Sequence, residues 1–232
     1  MILLSGDTHW GLDHTKILNI PKMKEKPNYL IIAGDFGLVW KPQEDWKEKQ
    51  GKDFLDSQNF TTLIVPGNHE NYERIYSLPK VELLGGIAYK YSEKIFFLEH
   101  GHVFTVEDKK IFVFGGAASI DKENRTDRVS WWREEIPSYE DFNRAVANLE
   151  KFNWKVDIVI THTCPSNIAD EMMNRGLSIL SGKFNDPTQK MLDYFEERTD
   201  CSNWYFGHWH VDKVFKTDKR YFTCLYDELE SV

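Results

Sequence analysis

The sequence predicts an α/β fold built on one mixed sheet or two stacked ones, and three observations carry that reading. Short apolar runs rich in β-branched and aromatic residues alternate with segments of helical period. Hairpin-like runs gather in the middle of the chain and again near its end. The composition is that of a globular chain: 232 residues, 41% hydrophobic, 28% charged, mean hydropathy -0.53. Such a length buries roughly 70–75% of the unfolded surface and needs no disulfide support.

Taken in order, the first three strands are read at Ile2–Ser5, Tyr29–Ala33 and Thr61–Val65. A meander of hairpins is expected over Lys94–Leu98, His102–Val106 and Lys110–Phe114, with turns at Glu-His-Gly and Glu-Asp-Lys. Ser138 to Phe152 has the best helical period, with Phe142, Val146, Leu149 and Phe152 on one face. Ser138 is its expected N-cap, with Asp141 three residues on. Two further strands are read at Val156–Ile160 and Asn203–Phe206, and a helix from about Pro187 to Glu197. Lys213–Lys216 and Arg220–Tyr226 read as a closing hairpin. No repeat, low-complexity tract or linker interrupts the chain, so a single domain over residues 1–232 is expected.

The 29 basic and 37 acidic residues leave a net charge of -8, which opposes strong non-specific binding to nucleic acid. No apolar run approaches the roughly 18 residues of a membrane span, and the N-terminus lacks the basic flank of a signal peptide. Cys164, Cys201 and Cys224 are an odd number without a C-x-x-C pair, which predicts free thiols. A cytoplasmic protein without membrane partners is the expectation.

Five of the apolar runs end in chemistry. The first is followed by Gly6-Asp7-Thr8-His9, the second by Gly34-Asp35 and the third by Gly67-Asn68-His69-Glu70. The fourth runs into Thr161-His162-Thr163 and the fifth into Gly207-His208-Trp209-His210. In open α/β sheets the loops leaving the strands converge, and ligands bind there. Five of the eight histidines sit at these ends, while His14, His100 and His102 are expected on surface turns or hairpins. The glycines allow sharp turns or close approach to a ligand. Two aspartates, an asparagine and four of the five histidines form an oxygen and nitrogen donor set without thiolate. It suits manganese, iron or zinc, and seven donors are too many for one ion and enough for two sharing a carboxylate. Two such ions clamp the oxygens of a phosphoryl displacement and activate water.

These five blocks, in this order, resemble the calcineurin-like metallophosphoesterase family. The resemblance implies a sandwich of two mixed β-sheets flanked by helices and a two-metal phosphoesterase acting on a phosphate mono- or diester. Manganese is the first expectation for the metal, with iron, zinc or nickel as alternatives. It further implies that Asp7, His9 and His210 hold one ion, that Asn68, His162 and His208 hold the other, and that Asp35 bridges them. His69 becomes the general acid at the leaving-group oxygen; the residue reading alone also allows a histidine that orients Asn68. Glu70 either orients His69 or lies on the surface at the start of a helix.

The protein Ser/Thr phosphatase branch continues its second block as Gly-Asp-x-x-Asp-Arg-Gly, whereas this chain reads Gly34-Asp35-Phe36-Gly37-Leu38-Val39-Trp40. The arginine that would grip phosphate is missing there. The segment from Gly115 to Glu135 resembles poorly characterised bacterial and phage metallophosphoesterases and carries Lys122, Arg125, Arg128 and Arg133 within 12 positions. Arg125 is the expected phosphate grip, with Arg128 and Arg74 next, because an arginine fork pairs with phosphate oxygens. Trp131 and Trp132 either cover the substrate or anchor the loop. Trp10, Trp40 and Trp209 either wall a pocket or pack against the ligand-bearing turns. Protein-phosphatase, nucleotide phosphodiesterase or nuclease activity remains the enzymatic alternative. A non-enzymatic scaffold and a mononuclear hydrolase of another ester are the readings from other classes. The intact donor set and His69 oppose the scaffold, and Asn68 opposes the single ion.

Overall fold

The computed structural model describes residues 1–177 and 185–232. Two sheets lie face to face with helices outside each. The first has seven strands in the order β13-β1-β2-β3-β6-β5-β4: β1 (Ile2–Ser5), β2 (Tyr29–Ala33), β3 (Thr61–Val65), β4 (Lys80–Leu83), β5 (Gly86–Lys90), β6 (Ile95–Leu98) and β13 (Glu230–Ser231). The second has six, ordered β11-β12-β10-β9-β8-β7: β7 (His102–Val106), β8 (Lys109–Phe114), β9 (Ile158–Thr161), β10 (Asn203–Phe206), β11 (Lys213–Lys216) and β12 (Tyr221–Cys224). Both sheets are mixed, as the sequence leads one to expect. Parallel pairing joins β1 to β2, β2 to β3 and β3 to β6, and likewise β8 to β9, β9 to β10 and β10 to β12.

Side chains alternate along each strand, and that sorts the core into three layers. Ile2, Leu4, Ile31, Leu63, Phe104, Ile111 and Ile160 fill the space between the sheets. Their neighbours Leu3, Leu30, Ile32 and Ile64 face outward onto Ile17 of α1 (Thr15–Leu18), Leu55 of α2 (Trp46–Asp56) and Ile75 of α3 (Tyr72–Ser77). On the other side Phe112, Val159, Trp204 and Phe206 meet Leu149 of α4 (Tyr139–Lys151), Ile168 of α5 (Ser166–Asn174) and Phe195 of α6 (Pro187–Arg198). Cys164, Cys201 and Cys224 are free and buried, as expected. No helix among the described residues is long and apolar enough to cross a membrane.

The expected helix after Ser138 begins with a complete capping box, in which Ser138 and Asp141 bond each other's backbone N–H. The expected meander is corrected. Strand β6 pairs with β3 and β5, not with β7, so Glu99-His100-Gly101 carries the chain from one sheet to the other. Gly101 takes φ +78° there, and a Cβ on it would stand 2.8 Å from Ala145 of α4, so the crossing needs glycine. His100 is corrected with it: it is 2% exposed, its Nδ1 accepting from the Gly115 N–H and its ring stacked on Tyr72.

Candidate metal centre

Strands β1, β2 and β3 of the first sheet and β9 and β10 of the second all point their C-terminal ends at one edge, and the predicted side chains meet there. Donor atoms of Asp7, His9, Asp35 and His210 lie within 4.8 Å of one another, and so do those of Asp35, His162 and His208. Asp35 belongs to both groups. Asn68 joins the second through its Oδ1, 2.9 Å from His162 Nε2.

The backbone is bent hard to achieve this. Asp7, His9, Asp35, His208 and His210 all have positive φ, between 32° and 70°. Non-glycine residues avoid that region at a cost of order 1–3 kcal/mol each, and such strain gathers at functional sites. Two glycines make the room: a Cβ on Gly34 would sit 2.0 Å from His162 Nδ1, and one on Gly67 would sit 2.2 Å from Asp35 Oδ1.

Four of the donors, His162, His9, Asp7 and Asn68, are aimed by a second group. His162 Nδ1 donates to the Ala33 carbonyl at 2.8 Å, which turns Nε2 toward Asp35 and Asn68. His9 Nδ1 lies 2.9 Å from Asp13, which leaves Nε2 facing Asp35 at 3.3 Å. Asp7 accepts from the His208 backbone N–H at 2.7 Å, tying β1 to the turn after β10. Asn68 Nδ2 donates to Ser119 Oγ at 3.1 Å, and Ser119 in turn donates to buried Glu135 at 2.5 Å. That chain fixes which end of the amide faces the histidines. Asp13, Ser119 and Glu135 were not among the predicted residues.

The donor set fits divalent cations. It is all oxygen and nitrogen, both of its carboxylates are buried, and His162 Nε2 faces two oxygen donors at once, Asn68 Oδ1 at 2.9 Å and Asp35 Oδ1 at 3.2 Å. Protons stand in accordingly. Burial opposes charge on His162, yet the Asp35 carboxylate outweighs it and lifts the ring to about 9. His9 is likewise lifted to about 9 against its burial by its bond to Asp35. Burial, and then the neighbouring His162, push His208 down to about 3, leaving its lone pair free.

A family model of calcineurin-like phosphoesterase matches residues 1–212. The chain belongs to the calcineurin-like phosphoesterase family. It is therefore a metal-dependent phosphoric ester hydrolase with the two-sheet sandwich of that family. Among solved structures, the phosphopantetheinyl hydrolase of Mycobacterium tuberculosis is similar at 16% identity and TM-score 0.54, over 97% of this chain and 89% of that one. A putative 5'-nucleotidase from Staphylococcus aureus aligns at 14% identity and TM-score 0.45, over 96% of this chain and 48% of its own. A search of curated proteins finds no match.

In this phosphoesterase His69 lies beside the donor groups without joining either. Its ring stacks on Trp40 at 5.6 Å and stands edge-on to His9 at 5.2 Å. Arg125 NH2 points at it, 2.9 Å from Nε2. Burial and then the Arg125 charge lower the pKa of the ring, against the pull of Asp35, so the resting imidazole is neutral. Glu70 does neither thing expected of it: it is fully buried, and its Oε1 accepts from the Phe36 N–H at 2.7 Å, clamping the turn after Asp35. Leu38 and Val39 in that turn are buried, so the loop after Asp35 presents no cation.

Of Lys122, Arg125, Arg128 and Arg133, Arg125 alone lines the cleft over the centre. Its Nε is held by Asp121 at 2.7 Å. Lys122 lies over Trp131, Arg128 pairs with Glu134, and Arg133 is exposed. Arg74 grips Glu48 through both terminal nitrogens and is committed to α2. Trp132 is fully buried against Trp40, which settles it as an anchor of the loop. Trp10 packs on Phe36 and Phe54, away from the cleft, whereas Trp209 lines it.

Proposed function

We propose that this phosphoesterase works with two divalent ions, Asp7, His9, Asp35 and His210 holding one and Asp35, Asn68, His162 and His208 the other. The observation that supports this is that Asp35 alone belongs to both donor groups. Manganese is the first choice for such a set, and iron, zinc or nickel also fit it. When bound, the pair supplies Lewis-acid polarisation of the phosphoryl group and a water made nucleophilic.

The chain's own residues do the rest. Arg125, already at the cleft wall, turns the NH2 that rests against His69 to a phosphate oxygen and holds the group in place. His69 faces the same space and carries the proton to the leaving oxygen. A phosphate's negative charge draws the guanidinium off the imidazole and offsets the two influences that keep the ring neutral. Asn68 stays fixed because Ser119 and Glu135 hold its amide.

Elemental analysis of manganese-loaded protein tests the reading. Two equivalents per chain are expected, with most metal and activity lost in Asp35→Asn; wild type that never takes more than one ion defeats it. His69→Ala is expected to keep both ions and lose about 10²–10⁴-fold in turnover on esters with poor leaving groups.

A further inference from the structure

The cleft over the centre holds about 510 Å³, in the range of small-molecule sites. Only part of its lining belongs to the chemistry. Leu177, Trp209 and Val211 also face it, and all three rest on the core beneath α5 and α6. Ile120 adds a further apolar side chain, 42% exposed. Trp209 stands edge-on to His208, with ring centroids 6.1 Å apart, so this apolar surface begins directly beside the donor groups.

Charge limits what else can enter. Arg125 is the one lysine or arginine among the described lining residues, and Asp121 already occupies one of its nitrogens. The cleft can match one phosphate group. Among the described lining residues there is no row of cations for successive phosphates, and the chain carries a net charge of -8. The shape and chemistry therefore favour a group that is anionic at one end and oily at the other.

We propose that the substrate is a small ester with a single phosphate group and an apolar alcohol half, seated against Leu177, Trp209 and Val211. The proposal rests on the phosphoesterase reading above and narrows it. Water's oxygen joins phosphorus, the ester P–O bond breaks, and the apolar alcohol leaves with the proton. Its release exposes the same three side chains for the next molecule.

A homologous series of n-alkyl phosphates, from ethyl to octyl, tests this with manganese-loaded protein and phosphate release as the readout. The leaving alcohols are nearly equal in acidity, so the series reports contact and not chemistry. Each added methylene is worth about 0.8 kcal/mol when buried, or roughly a fourfold rise in kcat/KM until the cleft is filled. In Val211→Ala and Leu177→Ala the rise per methylene should flatten while metal content stays at the wild-type level. The n-alkylphosphonates have no ester bond to break, and by calorimetry their Kd should fall with chain length in parallel.

A flat or falling series, in protein that still hydrolyses the ethyl ester, overturns the apolar seat and leaves the phosphoesterase reading standing. Faster turnover of an oligonucleotide or a nucleoside diphosphate than of octyl phosphate overturns it as well. Metal-loaded protein that turns over no phosphate ester at all defeats both readings together.

Discussion

Ser119 sits 51 residues from Asn68 in the chain and 3.1 Å from it in space. Nothing in its own type or neighbours marks it, which is why sequence reasoning placed only phosphate recognition in that loop. The convergence of the proposed donors was legible because each follows an apolar run directly, and a strand end is a defined place in an α/β sheet. Partners that reach across the fold carry no such mark, and Glu135 and the clamp made by Glu70 were missed for the same reason. Ser119→Ala removes the acceptor for the Asn68 amide and lets it turn. Residues that aim a ligand typically contribute 10–100-fold in affinity or activity. A metal titration of Ser119→Ala should therefore show one ion bound as in wild type and the second weakened by about that factor; an unchanged titration would show that the amide is held by other means.

At the scale of elements, the hairpin of β4 and β5 was invisible in the sequence. Leu84 and Gly85 form its two-residue turn with φ of 52° and 86°, and leucine does not signal such a turn. Of the expected meander the hairpin of β7 and β8 formed, and the link from β6 to β7 failed because a strand run says nothing about which neighbour it pairs with. Where β6 leaves its sheet, Glu99 accepts from Lys80 of β4 at 2.7 Å and Tyr89 of β5 at 3.1 Å, and it meets His102 of β7 at 3.1 Å. It thus joins both sheets at the crossing. Burial opposes its charge, but the bonds from His102 and Lys80 outweigh that and bring it down to about 2 from 4.5. A carboxylate whose pKa falls on folding stabilises the fold above its unfolded value and loses that contribution as the pH drops toward its folded value. Glu99→Gln should accordingly cost about 1.5–3 kcal/mol at pH 7, the range for hydrogen bonds to a charged group. The gap between variant and wild type should close between pH 4.5 and 2 in denaturant melts. A gap that persists at pH 2 would assign the loss to packing.

Across the whole molecule, the alternation of strands and helices left one mixed sheet or two stacked ones open, the family resemblance implied two mixed sheets, and the strand ends marked the edge where the candidate site lies. Composition and charge could not say which faces pack, because that depends on the crossing at Gly101. Four of the proposed donors (Asp7, His9, Asp35 and Asn68) follow strands of the first sheet, and three (His162, His208 and His210) follow strands of the second. An ion held by both sets stabilises only the docked sandwich. Linkage gives about 2.7 kcal/mol when the free ion is at 100 times its Kd. The melting temperature should rise with manganese concentration, fall on chelation and lose this dependence in Asp35→Asn. A wild-type melting curve indifferent to metal would exclude an ion that ties the sheets together.

That division of donors also sets when the centre can exist. The first donor is residue 7 and the last is residue 210, so no early fragment of the folding chain contains a complete set. On the proposed donor sets an ion would meet the structure finished and not seed it. The hold of such an ion would be felt on the way out, when the sheets must part, and would belong to the lifetime of the folded enzyme and not to the speed of its formation.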